Sequence, residues 1–303
     1  MPENPTPDNH QDPERQQAEA RLVRASNALE DLARYVYDVT VEAAARTMGN
    51  LRIEAIRHEQ TLTERFLAYM EMGLDRQIVE AAEPLRISAI AFTDRGKPEE
   101  TLEQETGADL ACFVRYDLPG LRWAKGFLGQ SKLATVTSVD DDGRPHIGLQ
   151  SEADYDEMIE NAVAMRKITE ESYVFFFSPE SVTVEKTGAL IGDMEAKRPQ
   201  RPWQDIHHFR QDQRGVNIAQ FYGAFVACQL GDILLDRPAA GYSSMLDLIT
   251  ARGIGVILLV MVGAVPPLPQ LTRDSSELAA MPFEVPETYW AWPQLLHSLM
   301  NQR

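Results

Sequence analysis

Two apolar runs near the middle of the chain, Ala108–Tyr116 and Phe127–Thr137, constrain its fold more than any other feature. Both are rich in aromatic and β-branched residues, and Pro119-Gly120 breaks the sequence between them. This predicts two strands, joined in a hairpin or lying as close neighbours. Three polar side chains interrupt the pattern. Asp109 opens the first run, while Gln130 and Lys132 stand two apart in the second, so a strand turns both to one face. An acid, an amide and an ammonium are costly to place among buried strands unless something binds them. A divalent metal together with a phosphate would do so.

In such an arrangement Asp109 gives the metal a carboxylate, Gln130 gives it a carbonyl-type oxygen, and Lys132 adds a cation. Hard oxygen ligands suit Mg²⁺ or Mn²⁺ and leave positions for water and phosphate oxygens. The ammonium would orient or help deprotonate the attacking water, or offset charge building on phosphorus. The competing reading is a hairpin whose polar side chains cap turns and face solvent.

Gly107-Ala108-Asp109 followed, after the break, by Gln130-Ser131-Lys132 resembles the PD-(D/E)xK, or restriction-endonuclease-like, nuclease superfamily. It is closest to Mrr-type members, in which Gln replaces the first acid of (D/E)xK. The similarity covers roughly residues 50–190 and takes in Glu105 and the VFFFSPESVTV segment. It implies an α/β fold: a restriction-endonuclease-like core with a central mixed β-sheet flanked by helices, a long N-terminal helix and extra C-terminal elements. It also implies an Mg²⁺- or Mn²⁺-dependent endonuclease hydrolysing DNA phosphodiester bonds, by analogy in prokaryotic restriction or antiphage defence. The catalytic set would be Asp109, Gln130, Lys132 and a Glu from the helix before the first core strand. Glu64 matches that place, with Glu59 and Glu71 as rivals on the same helix. The metal ligands would then be Asp109, Gln130, Glu64 and, as a secondary acid, Glu105, whose alternative is a solvated loop charge.

Composition limits this reading. The 303 residues are 44% hydrophobic and 25% charged, as in an ordinary soluble protein with ample core. Cys112 and Cys228 lie in apolar surroundings without a CxxC or Cys/His grouping, which suits a reducing compartment and argues against a zinc site. The polar N-terminus has no signal-peptide core, and the longest apolar run, Ile254–Val265, is too short to span a bilayer. A cytoplasmic protein with no membrane segment is expected. The net charge of −17 opposes nucleic-acid binding, which draws on a basic face. DNA contact is therefore expected to be local or supplied by a partner. A second reading follows: a nuclease-fold binding or assembly subunit of a defence complex, with catalysis absent or partner-dependent.

The order of elements completes the expectation. Residues 1–13 read as a disordered tail, and 14–48 as a helix for packing or oligomerisation, with a stripe of Leu22, Leu29, Leu32, Val36 and Val39. Residues 49–190 read as the nuclease core: helix Leu51–Leu74, strands Leu85–Phe92, Ala108–Tyr116 and Phe127–Thr137, helix Glu152–Lys167, and strands Tyr173–Phe177 and Val182–Lys186. Residues 191–303 read as a basic loop and a C-terminal α/β extension packed on the core. They hold expected helices at Val216–Leu230, Ser243–Ala251 and Trp290–Met300, and Ile254–Val265 as a buried strand. Candidate nucleic-acid contacts are Arg122 and Lys125, read as loop residues beside Trp123, and Lys197, Arg198 and Arg201 in the basic segment. Each has a plainer alternative: Trp123 as a core anchor, the basic segment as a solvated loop.

Overall fold

Where apolar residues run without a helical period the chain forms strands, and most of these join one mixed sheet. The computed structural model describes residues 13–53, 58–75, 77–79, 84–93, 106–118, 121–139, 145–149, 151–197, 209–210, 216–231 and 256–264. Two helices come first, α1 (Pro13–Arg52) and α2 (Glu59–Leu74). Six strands follow: β1 (Ile78–Val79), β2 (Leu85–Thr93), β3 (Leu110–Leu118), β4 (Leu121–Leu133), β5 (Thr135–Val139) and β6 (Pro145–Gly148). Then come α3 (Glu152–Ile168), β7 (Ser172–Phe177), β8 (Val182–Lys186) and α4 (Thr187–Lys197). The last elements are β9 (Phe209–Arg210), β10 (Val216–Asn217), α5 (Ile218–Val226) and β11 (Val256–Ala264).

Eight strands are ordered β1-β2-β11-β3-β4-β7-β8-β10. The strands β3 and β4 pair antiparallel from Leu110↔Gly129 to Leu118↔Leu121, as close sequence neighbours with a two-residue break can. The strands β4 and β7 are parallel, so the chain must cross over between them, and α3 is that crossover. Between β2 and β3 lies β11, antiparallel to the first and parallel to the second. Its sequence, VILLVMVGA, has the unbroken apolar run of a strand covered on both faces.

That insertion adds a feature the sequence reading did not contain: residues 191–303 supply one of the central strands of the sheet. Some boundaries shift as well. Helix α1 runs on to Arg52, so the second helix begins at Glu59 rather than Leu51. Asn217 caps α5 by accepting from the Ala219 N–H at 2.8 Å, which starts that helix at Ile218 rather than Val216. Helix α4 and the small strands were not anticipated. The expected helices Ser243–Ala251 and Trp290–Met300, and the first twelve residues of the expected tail, lie outside the described residues.

Helices cover both faces. On one face α1, α2 and α5 pack over Leu110, Cys112, Val114, Tyr116, Phe127, Tyr173, Phe175 and Phe177. Phe127 is central here, its ring centroid 4.9 Å from those of both Phe221 and Phe225 in edge-on contact. On the other face α3 and α4 pack over Ala134, Val174 and Phe176 with Leu149, Tyr155, Met158 and Leu190. Beyond Ala134 the chain leaves the large sheet to start a second, ordered β5-β6-β9. Among the described residues no helix is long and apolar enough to cross a membrane.

Because β11 sits inside the sheet, its core residues should stabilise the whole fold. Leu258→Ala is expected to cost about 2–5 kcal/mol, against less than about 0.5 for the exposed Val163→Ala. Denaturant unfolding followed by far-UV circular dichroism and tryptophan fluorescence should show one transition displaced for both signals. A separate early transition, with the rest of the protein unmoved, would mean that the segment is an independent unit.

Candidate functional site

The end of β4 gathers the polar residues that the sequence scatters. The side chains of Gln130 and Lys132 share the face covered by α3, since their parallel partners on β7 are Val174 and Phe176. Asp109 lies one residue before the β3–β4 ladder begins, opposite Gln130. Its backbone N–H donates to the Gly129 carbonyl at 2.9 Å, and its Oδ2 accepts the Ser131 N–H at 2.7 Å.

The approach to Asp109 depends on Gly107. Its φ of +67° is in the left-handed region, and a Cβ there would lie 2.3 Å from the Asn161 carbonyl oxygen of α3. Thr106 Oγ1 then accepts the Ala108 N–H at 3.2 Å. On the opposite face of β4, Thr63 of α2 donates to Ser131 Oγ at 2.7 Å, a fully buried hydroxyl pair that fixes α2 against this strand.

Lys132 is only 3% exposed, so its ammonium needs partners. It has them from both helical layers. Glu157 of α3 accepts from Nζ at 2.8 Å, and Glu59, the first residue of α2, accepts at 3.4 Å. The other oxygen of Glu59 accepts the Leu133 N–H at 2.8 Å, so this carboxylate is tied to the strand as well as to the lysine. Burial pushes the Lys132 pKa down, but the Glu157 hydrogen bond and the charges of Glu59, Glu157 and Asp109 outweigh it and hold it above the usual lysine value. The ammonium is therefore charged throughout the neutral range. Two carboxylates bond to the ammonium and the charge of a third, Asp109, also acts on it, which leaves a surplus of negative charge.

Gln130 is different. It is 0% exposed, and neither Oε1 nor Nε2 has a hydrogen-bond partner among the described residues. A buried amide left unpaired costs about 1–3 kcal/mol, and such groups are rare in folded proteins. Among the described residues no three His, Cys, Asp or Glu side chains converge as a metal-binding group.

The remaining expected site residues fall as follows. Glu64 is half-buried on α2, five residues past Glu59, and it makes no hydrogen bond or ion pair with Asp109, Gln130 or Lys132. Its helix does bring an acid to the site, but that acid is Glu59, a helix turn before the buried Thr63 and on the same stripe. Glu157 gave no signal in the sequence, because an exposed glutamate on an amphipathic helix looks like any other. Glu105, Arg198 and Arg201 lie outside the described residues. Arg122 and Trp123 are not loop residues but part of β4, and Lys197 ends α4; only the backbone is described at these three.

Lys125 corrects the expectation of an exposed phosphate contact. Seven residues before Lys132 on β4, it faces the opposite side, 2% exposed beneath α5. Its Nζ donates to the Leu230 carbonyl at 2.5 Å and lies 4.7 Å from the centre of the Phe225 ring. Burial lowers its pKa to about 8, despite the opposing influence of Cys228, Glu171 and Cys112. No nucleic-acid backbone reaches an ammonium so enclosed.

No family model matches the chain, no curated protein matches it, and no solved structure matches it.

The buried position of Lys125 has a measurable consequence. Its folded pKa of about 8 lies below the unfolded value of 10.5, so between those pH values the unfolded chain binds more protons. Through this group alone, stability rises with pH across that interval and is lowest below about 8. The raised pKa values of Cys112, Cys228, Tyr116 and Tyr222 act in the opposite sense, so the comparison must be between variants. Lys125→Met is expected to unfold at a higher temperature than wild type at pH 7, with the advantage shrinking towards pH 10. An advantage that is absent at pH 7, or that grows with pH, would refute this assignment.

Proposed function

We propose that the chain is a metal-dependent endonuclease with a restriction-endonuclease-like core, hydrolysing DNA phosphodiester bonds in prokaryotic restriction or antiphage defence. The observation that carries this reading is the grouping of Asp109, the unpartnered buried amide of Gln130 and the charged Lys132 on one face at the end of β4. Support also comes from the succession α2, β3, β4, α3 and β7, in which β3 and β4 pair antiparallel and α3 crosses over to a parallel β7.

The donor set suits Mg²⁺ or Mn²⁺. Mg²⁺ is commonly held by one or two carboxylates and keeps several waters, so a cluster of three acids is not needed. Asp109 and the Gln130 amide oxygen would hold it, and the surplus of carboxylates over ammonium around Lys132 favours a cation. When bound, the ion would polarise a phosphoryl oxygen and make water a better nucleophile. The protein's own part is positioning and charge. Glu59 fixes Lys132 against the strand, and Lys132, held protonated, offsets charge on the phosphate oxygens rather than accepting a proton.

Two observations favour the second reading, a nuclease-fold assembly subunit that works through a partner, with α1 as a contact surface. The chain carries a charge of −17, and the Lys132 ammonium is already held by two carboxylates. A cleavage assay separates the readings. Linear and supercoiled DNA should be cut with Mg²⁺ or Mn²⁺ and remain intact with EDTA. Asp109→Ala and Lys132→Ala should each lower the rate by about 10²-fold or more while unfolding as cooperatively as wild type. Equal cutting by wild type and Lys132→Ala would place any observed activity elsewhere. No cutting by pure wild-type protein with either ion would favour the assembly subunit.

A further inference from the structure

Glu157 and Glu59 both pair with Lys132, but they are not equivalent. Glu59 is bound twice, to Nζ and to the Leu133 N–H, so its departure would also leave that backbone donor without this acceptor. Glu157 meets Lys132 through one oxygen at 2.8 Å, its side chain is 57% exposed, and among the described residues it has no other hydrogen bond. A long, solvated side chain with a single bond can give way to another anion that supplies the same oxygen to the ammonium. Lys132, by contrast, is buried, and the Glu157 hydrogen bond leads the influences that offset that burial, so an anion that displaces Glu157 must give the ammonium an oxygen in return.

We propose that the Glu157 carboxylate occupies an oxyanion subsite, and that a phosphate oxygen takes its place on Lys132 when ligand binds. The buried Gln130 amide points independently to a ligand here. It shares the face of Lys132, and its Nε2 donor has no partner among the described residues. A phosphate seated on Lys132 presents the acceptors that such a donor lacks. Glu157 thus acts as a built-in competitor: it keeps the ammonium neutralised in the free protein and swings into solvent on binding. The identity of the ligand as a phosphodiester rests on the nuclease reading; the affinity for a phosphate group does not.

The full-length chain, held in EDTA, tests this by calorimetric titration with inorganic phosphate. In parallel, fluorescence anisotropy follows a labelled duplex lacking terminal phosphates. Glu157→Gln removes the competing charge but keeps a side-chain oxygen that can accept from Nζ, so the protein should still unfold cooperatively. It is expected to bind inorganic phosphate about fivefold more tightly than wild type, the scale of one partly exposed ion pair. The gain should shrink with added salt and disappear when Lys132→Ala is combined with it. Equal or weaker binding by Glu157→Gln, or a gain that survives Lys132→Ala, overturns the subsite. A gain for the duplex as well identifies phosphodiester oxygens as the occupant, and a gain for inorganic phosphate alone restricts the subsite to free phosphate or phosphomonoesters. If wild type fails to cut DNA yet Glu157→Gln shows the Lys132-dependent gain, the subsite stands and the nuclease reading falls. If wild type cuts DNA and no gain appears, only the subsite falls.

Discussion

Burying one ammonium at the end of a strand places demands on much of the surrounding structure. Lys132 keeps its charge because Glu59 at the start of α2 and Glu157 on α3 bond to it, with a smaller contribution from the charge of Asp109 at the entry to β3. Each depends on a support of its own. The Thr63–Ser131 hydroxyl pair anchors α2 to β4, and the Ser131 N–H holds Asp109. Gly107 allows the chain before Asp109 to touch α3, and the β4–β7 parallel pairing sets α3 over this face. Removing any one would leave a buried charge under-compensated, a state that proteins tolerate poorly.

Two lysines on the same strand show how far the surroundings decide chemistry. Both are almost wholly buried, yet one has a raised pKa and the other a lowered one. The difference follows from strand parity. Lys132 faces α3, where carboxylates gather, while Lys125 faces the aromatic layer under α5 and finds a carbonyl and a ring. The first is equipped to stay charged beside an anion. The second secures the turn after α5 at a cost to stability near neutral pH.

Much of this could be read from the sequence where local pattern fixes the outcome. The i, i+2 placement of Gln130 and Lys132 put them on one face, and the Pro119-Gly120 break fell between the paired strands β3 and β4. The apolar run around β11 announced a buried strand but not its place, because pairing between β2 and β3 depends on contacts distant in the chain. Lys125 and Arg122 were misread as loop because charged residues in a strand break the apolar pattern that signals one. Glu59 was visible only as one of three glutamates on a helix, and its choice over Glu64 depended on where α2 starts. Glu157 became visible only when the crossover helix was set against β4.

The proposed function has the Gln130 amide and Asp109 hold a hard divalent cation beside Lys132. Selective labelling of glutamine side chains and titration with Mg²⁺, then with paramagnetic Mn²⁺, addresses that claim without requiring a substrate. The Gln130 Nε2 resonance should shift saturably with Mg²⁺ and broaden at low Mn²⁺, and Asp109→Ala should abolish both effects. A Gln130 resonance unmoved by either ion in the folded wild-type protein would contradict the account.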